Sequence, residues 1–137
     1  MPDEDVRKLH QLRTEGQCCA AIMIQMGLDR RGERNDQMVS AVSVLCNGLG
    51  AGLLCGALSG AACMLALFAA DPAESAEMTA ELVSWFRAVY GGKYGGVDCA
   101  AITGNDQAVK LERCPALIEA TYVRARDILK DYGKIVE

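Results

Sequence analysis

The chain has little histidine, few aromatics, no basic cluster and no charge at all over a long central stretch, and each shortage narrows its possible roles. A single histidine, His10, among 137 residues leaves no histidine-rich zinc site and no Ser-His-Asp triad centred elsewhere. His10 lies on a charged helix and reads as a surface residue. Aromatics make up 5% of the chain although 51% is apolar, and alanine (20) and leucine (14) alone supply about a quarter of it. A core of small and straight-chain groups favours helices over sheets. The net charge of −4, with no run of Lys or Arg, argues against a nucleic-acid partner. The opening MPDEDVRKLHQLRTEG has no apolar core of a secretory signal. With an odd number of cysteines, that predicts a reduced, cytoplasmic setting.

No charged side chain occurs from 37 to 70, and LGAGLLCGALSGAACMLALFAA (49–70) is long enough to cross a bilayer. Five glycines (48, 50, 52, 56 and 60), the lack of Trp or Tyr at its edges and the acidic segment that follows favour a buried central helix instead. A membrane segment over 49–70 is the alternative.

Periodicity predicts a first helix from Glu4 to Thr14 and a second carrying Cys19, Ile22, Met23 and Met26 on one face. LDRRGERND forms a loop, Asn35 or Asp36 caps the helix QMVSAVSVLCNG, and GLGAG turns the chain into a helix from Cys55 to about Ala70. DPAE starts an amphipathic helix that buries Met78, Leu82, Trp85, Phe86 and Val89 and stops at Gly91-Gly92. A short CAAI turn surrounds Cys99, and TGNDQAVKLER is a polar connection to a last helix starting at Cys114-Pro115. That helix buries Ile118, Tyr122, Ala125, Leu129 and Tyr132 and ends at Gly133. No strand, repeat or linker is visible. The expectation is one all-α domain over 1–137, a bundle of five to six helices around a buried, charge-free hairpin.

Against these shortages stand seven cysteines, about 5% of the chain, below the roughly 8–10% of a disulfide scaffold. Cys19, Cys55, Cys99 and Cys114 lie 36, 44 and 15 residues apart, so no CxxC or zinc-ribbon spacing exists. Any site must be assembled by the fold. Cys55 follows a glycine-rich turn and opens a helix, where free N–H groups and the dipole favour a thiolate. Cys114, beside Arg113 and before Pro115, reads as another helix start, and so do Cys99 and Cys19. Asp98 works against a lowered pKa at Cys99. Cys46 and Cys63, mid-helix among apolar neighbours, read as core packing. Cys18 leans structural, although it neighbours a candidate and could exchange with it.

The segment CGALSG (55–60) matches a CGAxxG motif, with GQCCAAIM upstream and YGGVDCAAI and RCPALI downstream. This resembles the C-GCAxxG-C-C family, small bacterial and archaeal proteins regarded as redox-active because of their cysteines. The resemblance covers nearly the whole chain and assigns Cys19, Cys55, Cys99 and Cys114 as the signature thiols. Cys18, Cys46 and Cys63 lie outside it. Gly56 and Gly60 are implied to let a helix or a cofactor approach. Some relatives resemble haem-carrying domains, but this chain has no CxxCH, so covalent haem is not implied.

Three functions compete. The first is thiol–disulfide exchange or electron transfer, with Cys55 as a low-pKa attacking thiol, Cys99 or Cys114 resolving, and a redox protein as partner. The second is a binding module whose four cysteines ligate an iron–sulfur cluster or another thiophilic metal. The third is a structural subunit whose apolar hairpin serves assembly, including homo-oligomers. GGKYGG lacks the GK[ST] ending of a phosphate loop and reads as freedom for the Cys99 loop.

Overall fold

Polar side chains set half of the α-helix starts in the computed structural model, which describes residues 3–136. Asp3 caps α1 (Glu4–Thr14) by accepting from the Asp5 N–H, and Asn35 caps α3 (Asp36–Val42) through Met38. Asp71 accepts from Glu74 N–H at 2.8 Å and opens α5 (Pro72–Phe86) with Pro72 in its first turn. Asp106 caps α8 (Gln107–Asp131). Each satisfies an N–H that the helix itself leaves without a partner. The other α-helices are α2 (Cys19–Arg30), α4 (Gly56–Phe68), and the short α6 (Gly92–Tyr94) and α7 (Cys99–Thr103). The described residues form no strand beyond one isolated antiparallel bridge between Leu54 and Asp98. The chain is all-α.

The core is organised around α4, which packs on α2, α5 and α8. Ile22, Met23, Leu58, Met64, Met78 and Phe86 are among its fully or almost fully buried members. The crossing of α2 over α4 depends on a missing side chain. A Cβ on Gly60 would stand 2.6 Å from the Ala20 Cα and 3.0 Å from its carbonyl oxygen. Both atoms are backbone and cannot rotate away, so only glycine lets the helices approach this closely. A polar cluster ties α1, α2 and α8. Asp5 accepts from the Tyr122 hydroxyl at 2.8 Å and from Arg126 at 3.1 Å, and it also pairs with Arg30.

Two helix boundaries and several burial assignments differ from the sequence reading. The last helix begins at Gln107, not Cys114, and runs through Pro115, so most of the expected polar connection is its first turns. The helix from Pro72 does not stop at Gly91-Gly92. It widens into a π-turn over Arg87–Gly91, continues as α6 and ends where Gly95 turns left-handed at φ 79°. The wide turn inserts a residue into the helical register. Tyr90 therefore faces the core, and Val89 is 41% exposed instead of buried. Trp85 and Tyr132 are only half-buried. The hairpin is buried mainly in its second arm, since α3 has no buried residue and Val44, Leu49, Leu53 and Leu54 are exposed, although Cys46 and Gly48 are buried. No helix of the described residues is long and apolar enough to cross a membrane.

Candidate functional site

The four signature cysteines arrive from four different elements. Cys19 is the first residue of α2, Cys55 caps α4, Cys99 begins α7, and Cys114 lies in the second turn of α8. The position of Cys114 corrects the sequence reading, because a helix start there would need the helix to begin seven residues later. All four line one cavity of about 200 Å³. That is below the roughly 300–1,000 Å³ of ordinary small-molecule pockets. It suits a small reagent, or movement of the sulfurs themselves, better than a large planar cofactor.

Local backbone structure fixes these positions. The Leu54–Asp98 bridge is closed by the Cys55 N–H donating to the Val97 carbonyl at 3.2 Å and the Cys99 N–H donating to the Leu53 carbonyl. The two cysteines thus hold their own segments side by side. Arg113 anchors α7 by donating to the Ile102 carbonyl at 2.7 Å, with its guanidinium 4.7 Å over the Tyr94 ring. Arg113 is therefore spent on α7 and the aromatic cluster and not on Cys114, as its adjacency had suggested.

The CGAxxG motif has a packing explanation. A Cβ on Gly56 would meet the Cys19 sulfur at 2.7 Å, the Leu45 carbonyl oxygen at 3.0 Å and the Cys46 Cα at 3.2 Å. Gly56 gives Cys19 its place against the start of α4, and Gly60 admits the α2 backbone one turn further on. Gly56 lines the cavity, whereas the space over Gly60 is filled by Ala20.

A left-handed turn brings Asn47 to the cavity's wall. Asn47, Gly48, Leu49 and Gly50 have φ of 58°, 59°, 63° and 68°. Such a conformation costs an L-residue roughly 1–2 kcal/mol. It is held by the Leu53 N–H donating to the Gly48 carbonyl at 3.0 Å. A Cβ on Gly48 would lie 2.3 Å from that same nitrogen, so the turn requires glycine there. Asn47 accepts from Lys110 on α8, and both line the cavity.

The electrostatics reverse one expectation. Cys55 does sit at a helix start, and the Ala57 and Leu58 N–H groups favour its anion, but burial outweighs them and pushes the thiol up to about 12. The neighbouring Cys19 and Cys114 add to the rise. Cys55 is 8% exposed, so its anion loses water that two backbone donors do not replace. Of the raised thiols it is the one held protonated most strongly. Burial also raises Cys19 and Cys114, and Lys110 opposes the rise at both. Cys19 gains further help from the Ala20 and Asn47 N–H groups. Each of these two thiols also feels Cys99, and Cys114 feels Cys19. The four sulfurs form one electrostatically connected set.

Among the described residues, no three His, Cys, Asp or Glu side chains are grouped closely enough to share a metal ion. The donor chemistry suits a thiophilic metal, but this placement of the donors does not. Cys18 and Cys46 are not bystanders. They form a disulfide with Cα atoms 6.0 Å apart, which corrects the reading of Cys46 as plain core packing. Cys63 is free and half-buried on α4. Sequence reasoning missed Asn47 and Lys110. Asn before glycine is a signal for a left-handed turn, and Lys110 stands four residues before Cys114, facing neighbours once α8 is read through Pro115.

A family model described as "Putative redox-active protein (C_GCAxxG_C_C)" matches residues 17–128, a span that holds all seven cysteines. No curated protein matches the chain, and no solved structure does.

Proposed function

The chain belongs to the C_GCAxxG_C_C family, and on that premise we propose that it works by thiol–disulfide exchange among Cys19, Cys55, Cys99 and Cys114. One observation carries the reading: four cysteines distant in sequence line a single cavity, on elements whose backbone hydrogen bonds and glycines serve their placement. Exchange needs a thiolate to attack and a second thiol to resolve. Cys19 and Cys114, the thiols that Lys110 favours as anions, are the attacking candidates. Cys55, kept protonated by burial, is the resolving or proton-holding member. The partner is a thiol- or disulfide-bearing molecule small enough to enter, or a protein that presents such a group.

The test is anaerobic purification, metal analysis and thiol counting with peptide mapping. Metal-free protein that loses two thiols on mild oxidation, with a disulfide mapped between two of the four cysteines, supports exchange. Stoichiometric iron with visible absorption would replace it with a metal-binding role. Four cysteines that stay reduced and bind no metal would end both sulfur readings.

A further inference from the structure

Cys18 faces two openings. It lines the four-thiol cavity, and it also lines a shallow outer cleft between the start of α2 and α3, with Glu15, Gln25 and Ser40. Its disulfide partner Cys46 is 8% exposed and lines neither. The Cys46 backbone and the Cys19 sulfur both press on the space left by Gly56, so the disulfide adjoins the cavity on that side too. The structure holds this pair oxidised while the four cavity cysteines are free thiols. A donor set and an acceptor therefore sit next to each other.

We infer that the Cys18–Cys46 disulfide is a redox relay between the buried cavity thiols and the surface, an assignment that rests on exchange chemistry in the cavity. A cavity thiolate attacks the Cys18 sulfur. A bond forms to Cys18 as the Cys18–Cys46 bond breaks, and Cys46 leaves as a thiolate and takes up a proton. A second cavity thiolate then attacks the first cavity sulfur, and Cys18 leaves and is protonated in turn. The cavity pair loses two electrons and two protons, and Cys18 and Cys46 gain them. No outside oxidant enters the step. Attack falls on Cys18 because only that sulfur's residue reaches the cavity, and the reduced Cys18 is then presented to the outer cleft. The electron pair leaves through the surface and not through the cavity mouth.

The experiment uses the full chain, reduced and then given one two-electron equivalent of diamide, followed by alkylation and peptide mapping. Two variants, Cys46→Ser and Cys18→Ser, both also carry Cys55→Ser, which removes the resolving thiol. In Cys46→Ser the exchange then stalls at the mixed disulfide, and most chains carry a disulfide between Cys18 and a cavity cysteine. In Cys18→Ser, the buried Cys46 forms such a cross-link several-fold less. Wild type needs no substitution: its oxidation is shared between Cys18–Cys46 and a cavity pair, in the same ratio whether sampled early or late. Helical circular dichroism confirms that both variants fold. A free Cys18 in Cys46→Ser, beside a disulfide confined to the cavity, overturns the relay and leaves the cavity chemistry standing. Equal cross-linking of Cys46 overturns the order of attack. Cavity cysteines that never oxidise overturn the relay and the proposed function together.

Discussion

Replacing Gly60 with alanine sets two physical effects against each other at one position. Gly60 lies inside α4, where alanine is preferred over glycine by about 0.8–1.0 kcal/mol. Propensity alone makes Gly60→Ala stabilising. The tertiary structure makes it destabilising, because the new methyl would stand 2.6 Å from the Ala20 Cα and 3.0 Å from the Ala20 carbonyl oxygen. Neither atom belongs to a flexible side chain, so α2 and α4 must separate. Overpacking of this kind costs typically about 1–3 kcal/mol. The net expectation is a loss of up to roughly 2 kcal/mol, seen as a lower urea midpoint at unchanged slope, and a melting temperature down by up to about 8 °C. Gly92→Ala is the control. Gly92 is helical at φ −74° and ψ −35°, and a Cβ there meets nothing within 4 Å. It should gain up to about 1 kcal/mol from the same propensity term. Because Ala20 follows Cys19, the separation should also loosen Cys19 from Gly56 and speed its alkylation in the native protein. If both variants raise the midpoint, the close crossing of α2 and α4 is refuted, and with it the account of the CGAxxG motif.

Three further outcomes follow from the site and the turn beside it. Cys55 should resist iodoacetamide in the native protein at neutral pH and react only as the pH climbs toward 12, whereas alkylation of Cys55 at neutral pH at the rate of a free cysteine would sink its assignment as the protonated thiol. An unfolded thiol ionises near about 8.5, so the stability gained by keeping Cys55 protonated is intact below that pH and is lost as pH rises to the folded value. Denaturation midpoints of wild type should therefore fall more steeply between those limits than those of Cys55→Ala. Leu49→Gly should raise stability by about 1 kcal/mol, because a 55% exposed leucine at φ 63° bears the left-handed penalty with little burial in return. A lower urea midpoint would show that the turn 47–50 depends on that side chain.

Much of the fold was legible because local rules agreed with the final packing. The Asp71-Pro72-Glu74 start, the α2 face of Ile22, Met23 and Met26, and the α8 face of Ile118, Tyr122, Ala125 and Leu129 all carry their signals within a few residues. The errors arose where a strong local signal was outvoted by contacts elsewhere. Pro115 ordinarily breaks or starts a helix. Here α8 passes through it, with Leu117, Ile118 and Tyr122 buried on its far side. The Gly91-Gly92 pair looked like a stop, yet the π-turn carries the chain on to Gly95 and places Tyr90 against Phe86, with ring centroids 4.9 Å apart. Helix-start logic made Cys55 acidic, and burial reversed the sign.

The sequence by itself determined that this is a helical chain, and it singled out two glycines through the local CGAxxG motif and four cysteines through the family resemblance around it. Composition and 3.6-residue periodicity are short-range properties, so they survive without coordinates. Only the tertiary structure decided where the sulfurs lie. Cys19 and Cys55 are separated by 36 residues, and their proximity exists because Gly56 and Gly60 let two helices nearly touch. The pairing of Cys18 with Cys46 across 28 residues and the loss of water around Cys55 are likewise consequences of packing. Neither leaves a trace in spacing, because burial and sulfur–sulfur contact depend on what the rest of the chain brings to each cysteine.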